Sequence, residues 1–440
     1  MKKVLARIVG TTLLLMLTFT IGASWHDLRG IHNLQTLRSH LVMIPTDVDM
    51  ALMTAAHGQS EDQSPYETYA DVLTTLKENY YSPNDKQIDS TQLTYNAIRG
   101  MVGSLHDRYT TFLDPNAYQE MMEDNDGQFV GIGAMLGTND ANQVYVVKVL
   151  PGGPARKYKL KAGDIIIKVD NTPTNKMKDT DVVKIIRGPR NTKVSLTVLR
   201  DKQAVVITMP REVVQQEVVE SRMLDPQNKI GYISLSVFNE ESDRQLEKAM
   251  TSLEAQGARG LVLDLRNNPG GLLDIAARIA SRFIPSGPVL WTKDMTGPME
   301  PYPTVAGLHR WGRPLVVLVN GYSASAAEIL SGSIKDTDAG TLVGEKTFGK
   351  GVVQTIMGLR DGSAVKITTQ HYYTARKHDI NHKGIEPNIA VKFTPEDQKK
   401  LVVYLRKHPD APYDLDDDRQ LKSALVQVNK EVRVASTKPG

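Results

Sequence analysis

A chain of 440 residues, 40% hydrophobic and 23% charged, has the length for two or three domains with buried cores. Its net charge of +3 gives no broad electrostatic footprint for nucleic acid. The absence of cysteine excludes disulfides, thiol catalysis and cysteine metal sites.

The chain opens on a basic stretch, Met1-Lys-Lys-Val-Leu-Ala-Arg7, and continues with the uncharged run Ile8 to Trp25. This is the layout of an export signal, although the run approaches the length of a short membrane span and Ile21 and Ala23 make a poor A-x-A cleavage site. Residues 1–25 are therefore expected to be a signal peptide or an inner-membrane anchor. The remainder is expected outside the cytoplasm, in the periplasm or cell envelope.

Residues 26–126 are expected to form a helical region. Tyr69, Val72, Leu73, Leu76 and Tyr80 recur at helical spacing before Ser82-Pro83, and Ala97, Ile98, Met101, Val102 and Leu105 line one face of a second helix. The two helices would pack on each other or on a second copy. From Gly127 the period changes to short β-branched runs (Val144 to Val149, Ile165 to Val169, Val194 to Val198, Ala204 to Thr208), separated by turns and one helix, Thr180 to Ile186. Residues 127–212 thus read as a compact, mostly β module. Strands and helices then alternate through residues 213–395, which predicts an α/β layered core. Residues 396–440 hold an acidic turn, Asp414 to Asp418, and a last amphipathic helix, Leu421 to Val428.

Two segments carry potential chemistry. After an apolar strand, Pro314 to Val319, the turn Asn320-Gly-Tyr-Ser-Ala-Ser325 opens a helix, and Ser325-Ala-Ala-Glu328 fits a capping box. A helix start also offers backbone donors to a developing oxyanion, so Ser323 and Ser325 are both candidate nucleophiles. Lys350 stands between Gly349 and Gly351. A lysine ordinarily titrates near ~10.4, but burial disfavours its charged form and can make it a general base for a serine. Gly344 to Lys350 also imitates a phosphate-binding loop, but Gly351 stands where a magnesium-binding Ser or Thr is required. His378 and His382 lack the glutamate of a zinc helix, and His106-Asp107 reads as a turn ending the second helix.

The combined pattern resembles the carboxy-terminal processing proteases, the tail-specific serine peptidases of family S41 that carry a PDZ domain. The likeness runs from about residue 66 to 428. It implies an α/β fold with a ClpP/crotonase-like protease core, an inserted PDZ domain, and N- and C-terminal helical segments. It implies Ser325 as nucleophile, Lys350 as general base and Gln354 as the residue orienting the lysine. The glycine turn of Leu263-Asp-Leu-Arg-Asn-Asn-Pro-Gly-Gly-Leu272, at Gly270 and Gly271, would supply an oxyanion-hole amide beside Ala326 N–H. Phe129-Val130-Gly131-Ile132-Gly133 resembles the loop that captures a peptide's terminal carboxylate, and Arg187 a PDZ arginine that links peptide capture to activity. Members often carry Leu-Asp-Pro-His-Ser where this chain has Leu105-His-Asp-Arg-Tyr109, which bears on substrate fit. The expectation is an exported serine endopeptidase that processes or degrades envelope proteins after recognising their C-terminal tails. It needs no cofactor, no metal and no nucleic acid. Its partners would be proteins or peptides with free C-termini, a second copy docked through terminal helices, and a regulatory adaptor. The rival is a catalytically silent PDZ scaffold or chaperone, against which Ser325, Lys350 and Gln354 argue.

Overall fold

The computed structural model describes residues 64–81, 88–139, 141–394, 396–397 and 418–437, in two units divided at Ser90. The expected export segment and the acidic residues 414–417 lie outside the described residues. Among the described residues no helix is long and apolar enough to cross a membrane.

In the first unit, Pro65–Asn79 is a helix started by a capping box of Ser64 and Glu67, with Pro65 in its first turn. None of its residues is buried, and Tyr66, Val72 and Leu76 are exposed.

The second unit begins with the helix Ser90–Gly103. Of the apolar face expected there, only Val102 is buried, while Met101 and Leu105 are exposed. A short strand, Thr111–Leu113, and a helix, Pro115–Asp126, follow in the region expected to be helical. The helix has clear end signals: Asp114 accepts from Ala117 N–H at 3.0 Å, and Gly127 closes it in the left-handed region. The strand pairs with the start of Ala364–Thr374, so this N-terminal segment is an edge of the core's antiparallel sheet.

The chain enters and leaves the β module through one antiparallel pair, Gln128–Gly131 with Glu212–Gln215. Between them lies a sheet in the order Ala134–Thr138, Val144–Val149, Ile165–Val169, Lys193–Arg200 and Gln203–Pro210. It closes over its own core of Val146, Ile166, Val182, Leu196 and Met209. The helix Asp179–Ile186 packs beside its edge strand Ala134–Thr138.

The α/β core is built on a six-stranded sheet in the order Val219–Asp225, Ile230–Leu235, Gly260–Asp264, Leu315–Val319, Thr341–Gly344 and Ile389–Ala390. Its first pair is antiparallel and the other four pairs are parallel. Apolar runs suit strands covered on both faces. In Leu315–Val319, Leu315, Val317 and Val319 face the core containing the helices Ser242–Ala255, Leu273–Ala280 and Ala326–Asp336, whereas Val316 and Leu318 face the last helix, Arg419–Thr437. The helix expected in the C-terminal tail is thus part of the core. Leu421, Ala424, Val428 and Val432 of that helix are buried on the sheet. Asp418, read from sequence as part of an acidic turn, is fully buried: it accepts from Leu421 N–H at 2.9 Å and from Arg266 Nη1 at 3.0 Å.

Candidate active site

The site forms where the parallel strands end, the usual place for chemistry in α/β sheets. Beyond Val319 the chain must turn sharply into the helix Ala326–Asp336. Ser323 makes that turn: fully buried, its Oγ donates to the Leu265 carbonyl at 2.8 Å and accepts from Asn320 N–H at 2.9 Å. Its hydroxyl is committed to holding the turn, which separates the two serines left open by sequence. Ser325 is half-buried, at φ 54° and ψ −114°, a conformation L-residues avoid. Such a residue stores about 1–3 kcal/mol of strain and persists only where its surroundings over-determine it.

Those surroundings include the glycine turn. Asn268, also fully buried, donates to the Leu235 carbonyl at 2.8 Å and accepts from Gly270 N–H at 2.9 Å, and its own carbonyl accepts from Ala324 N–H at 3.0 Å. Gly270 has φ 105°, and a Cβ there would lie 2.8 Å from Ser325 Cβ and 2.9 Å from Ala326 N. A side chain at this position would collide with the serine turn. Of the three amides expected at an oxyanion hole, that of Gly270 is therefore engaged by Asn268. Those of Gly271 and Ala326 have no hydrogen-bond partner among the described residues.

Lys350 is half-buried, and its Nζ makes no hydrogen bond or ion pair among the described residues. The ammonium position lies 4.7 Å from the centre of the Tyr109 ring. Burial, with Lys366 and Arg108 adding like charge, lowers the lysine pKa, while Asp107 and Glu328 oppose the shift. The main chain around it hangs from Glu328, whose side chain is fully buried. Glu328 Oε1 accepts from Thr347 Oγ1 at 2.6 Å and Gly349 N–H at 2.7 Å. Oε2 accepts from Lys350 N–H and from Ser325 N–H, both at 2.9 Å. Tyr372 completes the frame by donating to the Ser325 carbonyl at 3.1 Å, and burial pushes its phenol up so that it remains a donor. Ser325 Oγ and Lys350 Nζ are not hydrogen-bonded to one another, a looseness common in sites without substrate.

Three comparisons bear on this arrangement. Residues 229–391 match the model of peptidase family S41, and residues 120–199 match the PDZ domain. A carboxyl-terminal-processing protease from Synechocystis is 36% identical over 72% of this chain and 74% of its own length. The carboxy-terminal processing protease CtpA of Bacillus subtilis is 34% identical over 85% of this chain and 76% of its own. The chain belongs to peptidase family S41. It is a serine-type C-terminal processing peptidase with a PDZ domain. A crystal structure of an S41 protein from Bacteroides fragilis shares the fold, with a TM-score of 0.52 and 16% identity, over 87% of this chain and 100% of that one.

Not every expected residue of the peptidase sits where the family likeness implies. Gln354 follows a β-bulge in the strand Val352–Gly358, and its Nε2 donates to Thr368 Oγ1 at 3.4 Å; no hydrogen bond joins it to Lys350. In the PDZ domain, Phe129, Val130 and Gly131 belong to the strand paired with Glu212–Gln215, whereas Ile132 is buried in the domain core. Gly133, at φ 76°, abuts Gly153. The Arg187 guanidinium lies 5.5 Å from the centre of the Phe129 ring.

Four residues at the site were not among the expected ones: Arg108, Tyr109, Glu328 and Tyr372. Glu328 was visible in sequence only as a cap. The turn at His106-Asp107 is a turn as expected, with His106 at φ 53° and Asp107 accepting from Tyr109 N–H at 3.0 Å. The pairing of Thr111–Leu113 with the strand Ala364–Thr374 brings it to the lysine. That pairing spans more than two hundred residues, and no local pattern reports it.

Proposed function

We propose that the protein is an exported endopeptidase that takes hold of a protein's C-terminal tail through its PDZ domain and cleaves by a Ser-Lys mechanism. Neutral Lys350 removes the Ser325 proton, and the alkoxide attacks the scissile carbonyl. The amides of Gly271 and Ala326 donate to the oxyanion, with Gly270 providing the close approach; one such donor is worth about 10²–10³ in rate. The lysine ammonium then donates to the leaving amine, and water hydrolyses the acyl-enzyme. Gln354 orients the lysine once its amide leaves Thr368.

The observation that carries this reading is the strained Ser325 and the partly desolvated Lys350, both suspended from the one buried carboxylate of Glu328. Peptide capture is supported by the exposed edge strand Ala134–Thr138, flanked by the helix Asp179–Ile186 and preceded by the segment Phe129–Gly133. Arg187, whose guanidinium lies on the Phe129 ring, would respond to a peptide bound beside that segment. Export and membrane proximity rest on residues 1–25, and dimerisation and an adaptor on family likeness. The test compares wild type with Ser325→Ala and Lys350→Ala on a peptide with a free apolar C-terminus and on its amidated form. Cleavage by wild type of the free form, with both variants inactive, is expected; undiminished cleavage by either variant refutes the mechanism, and equal cleavage of the amidated peptide refutes carboxylate capture.

A further inference from the structure

The segment Leu105-His-Asp-Arg-Tyr109, where this chain departs from the usual family pattern, lies against the proposed general base. One aromatic ring carries two basic side chains: Lys350 Nζ lies 4.7 Å from the Tyr109 ring centre, and the Arg108 guanidinium carbon lies 4.7 Å from the same centre. Arg108 is also 5.3 Å from the ring centre of Phe348, two residues before the lysine, and its guanidinium donates to the Tyr109 hydroxyl. The base of the segment is fixed. Asp107 accepts from Thr110 Oγ1 at 2.6 Å, and Thr110 Oγ1 accepts from Thr368 N–H at 3.0 Å, tying the turn to the strand beside the lysine.

We propose that Arg108 is a positioning residue for the reaction: held on the ring that also covers Lys350, its permanent charge keeps the lysine in the neutral form that can accept the serine proton. This rests on the reading of Lys350 as general base.

The charged and titratable groups facing the lysine set the sign. Lys366, on the strand Ala364–Thr374, and Arg108 repel a protonated Lys350. Asp107, on the same turn as Arg108, and Glu328, on the serine helix, attract it. Tyr109 and Tyr372 enclose the site. Glu328 is already held by four donors. Arginine keeps its charge over any working range, so the repulsion from Arg108 is constant. Arg108 is exposed, so its influence passes partly through water and is screened by salt.

The experiment is the pH profile of kcat/KM for the full chain on the free-C-terminus peptide, in wild type, Arg108→Gln, Arg108→Lys and Arg108→Glu. Removing the charge should move the acid limb up by about half a pH unit, a loss of about threefold on the acid side with the alkaline plateau kept. Arg108→Glu should move it by about one unit, and Arg108→Lys should leave it in place. Wild type at an ionic strength of about 0.5 M should shift in the same direction as Arg108→Gln, which tests the idea without any variant. An acid limb at the same pH in wild type and Arg108→Gln, a rate loss equal at every pH, or a wild-type limb unmoved by salt overturns the proposal. Ser325→Ala and Lys350→Ala run alongside: if either cleaves like wild type, the mechanism itself fails. If both are inactive and the limb stays put, only the role of Arg108 fails.

Discussion

The backbone amides of Ser325 and Lys350 donate to one and the same oxygen, Oε2 of Glu328, each at 2.9 Å. Two residues from different strand-to-helix and strand-to-strand turns are thereby fixed relative to each other through a fully buried carboxylate. The capping-box glutamate does more than close a helix: Oε1 also holds Thr347 and Gly349, the turn leading into the lysine.

Replacing Glu328 by Gln turns one of those acceptor oxygens into a donor facing donors. We expect kcat to fall by at least about 10²-fold, and stability by about 2–4 kcal/mol, since a buried, multiply bonded carboxylate is being lost. Steady-state kinetics and urea denaturation measure the two effects. Full activity in Glu328→Gln would show that the shared oxygen does not set the geometry.

The lowered pKa of Lys350 has a defined consequence for stability. The unfolded chain holds its lysine proton up to about 10.4, above the folded value, so folding is penalised at neutral pH and the penalty disappears as pH rises through that window. Lys350→Met should therefore abolish cleavage and yet raise stability near pH 7 by roughly 1 kcal/mol, with the gain shrinking as pH rises through that window. In wild type, kcat/KM should rise with pH through one ionisation below that of a free lysine. Denaturation of both proteins at neutral and alkaline pH checks the sign.

The close approach of the two active turns leaves no room at Gly270. Gly270→Ala puts a Cβ 2.8 Å from both Ser325 Cβ and the Ala324 carbonyl oxygen, in a left-handed conformation that alanine resists. A loss of about 10²-fold or more in kcat is expected, with a stability cost of about 1–3 kcal/mol. Kinetics at a temperature well below the unfolding midpoint separates the two.

The last helix is held by charge as well as by apolar packing. Arg266 lies between Asp264, at 2.7 Å, and Asp418, at 2.8 Å, with little exposure on any of the three. Asp418→Ala leaves that arginine partly uncompensated and removes a cap from the helix, so a loss of about 3–5 kcal/mol is expected. A clear drop in Tm would register it; an unchanged Tm would mean the helix docks by its apolar residues alone.

Much of the fold was legible because strand and helix periods are local. The continuous apolar run at Leu315–Val319 and the amphipathic spacing of Leu246, Met250 and Leu253 needed only neighbours to be read. Chemistry was legible as residue types: a serine turn, a lysine between glycines, a Pro-Gly-Gly turn. What stayed hidden depended on long-range pairing. Asp418 looks solvated until Arg266 is placed beside it, and Arg108 and Tyr109 look like a loop until Thr111–Leu113 joins the strand Ala364–Thr374. The residue pattern alone left Ser323 and Ser325 open and the family likeness pointed to Ser325; the Leu265 carbonyl, just past the strand Gly260–Asp264, claims the Ser323 hydroxyl. Gln354 went the other way, since the bulge beside it turns its amide toward Thr368.

The central claim, that Lys350 activates Ser325, is tested most directly by reaction with a fluorophosphonate and location of the adduct by mass spectrometry. The account predicts modification of Ser325 in wild type, at a rate that rises with pH and is lost in Lys350→Ala. An adduct on Ser323, or undiminished labelling of Ser325 in Lys350→Ala, would contradict it.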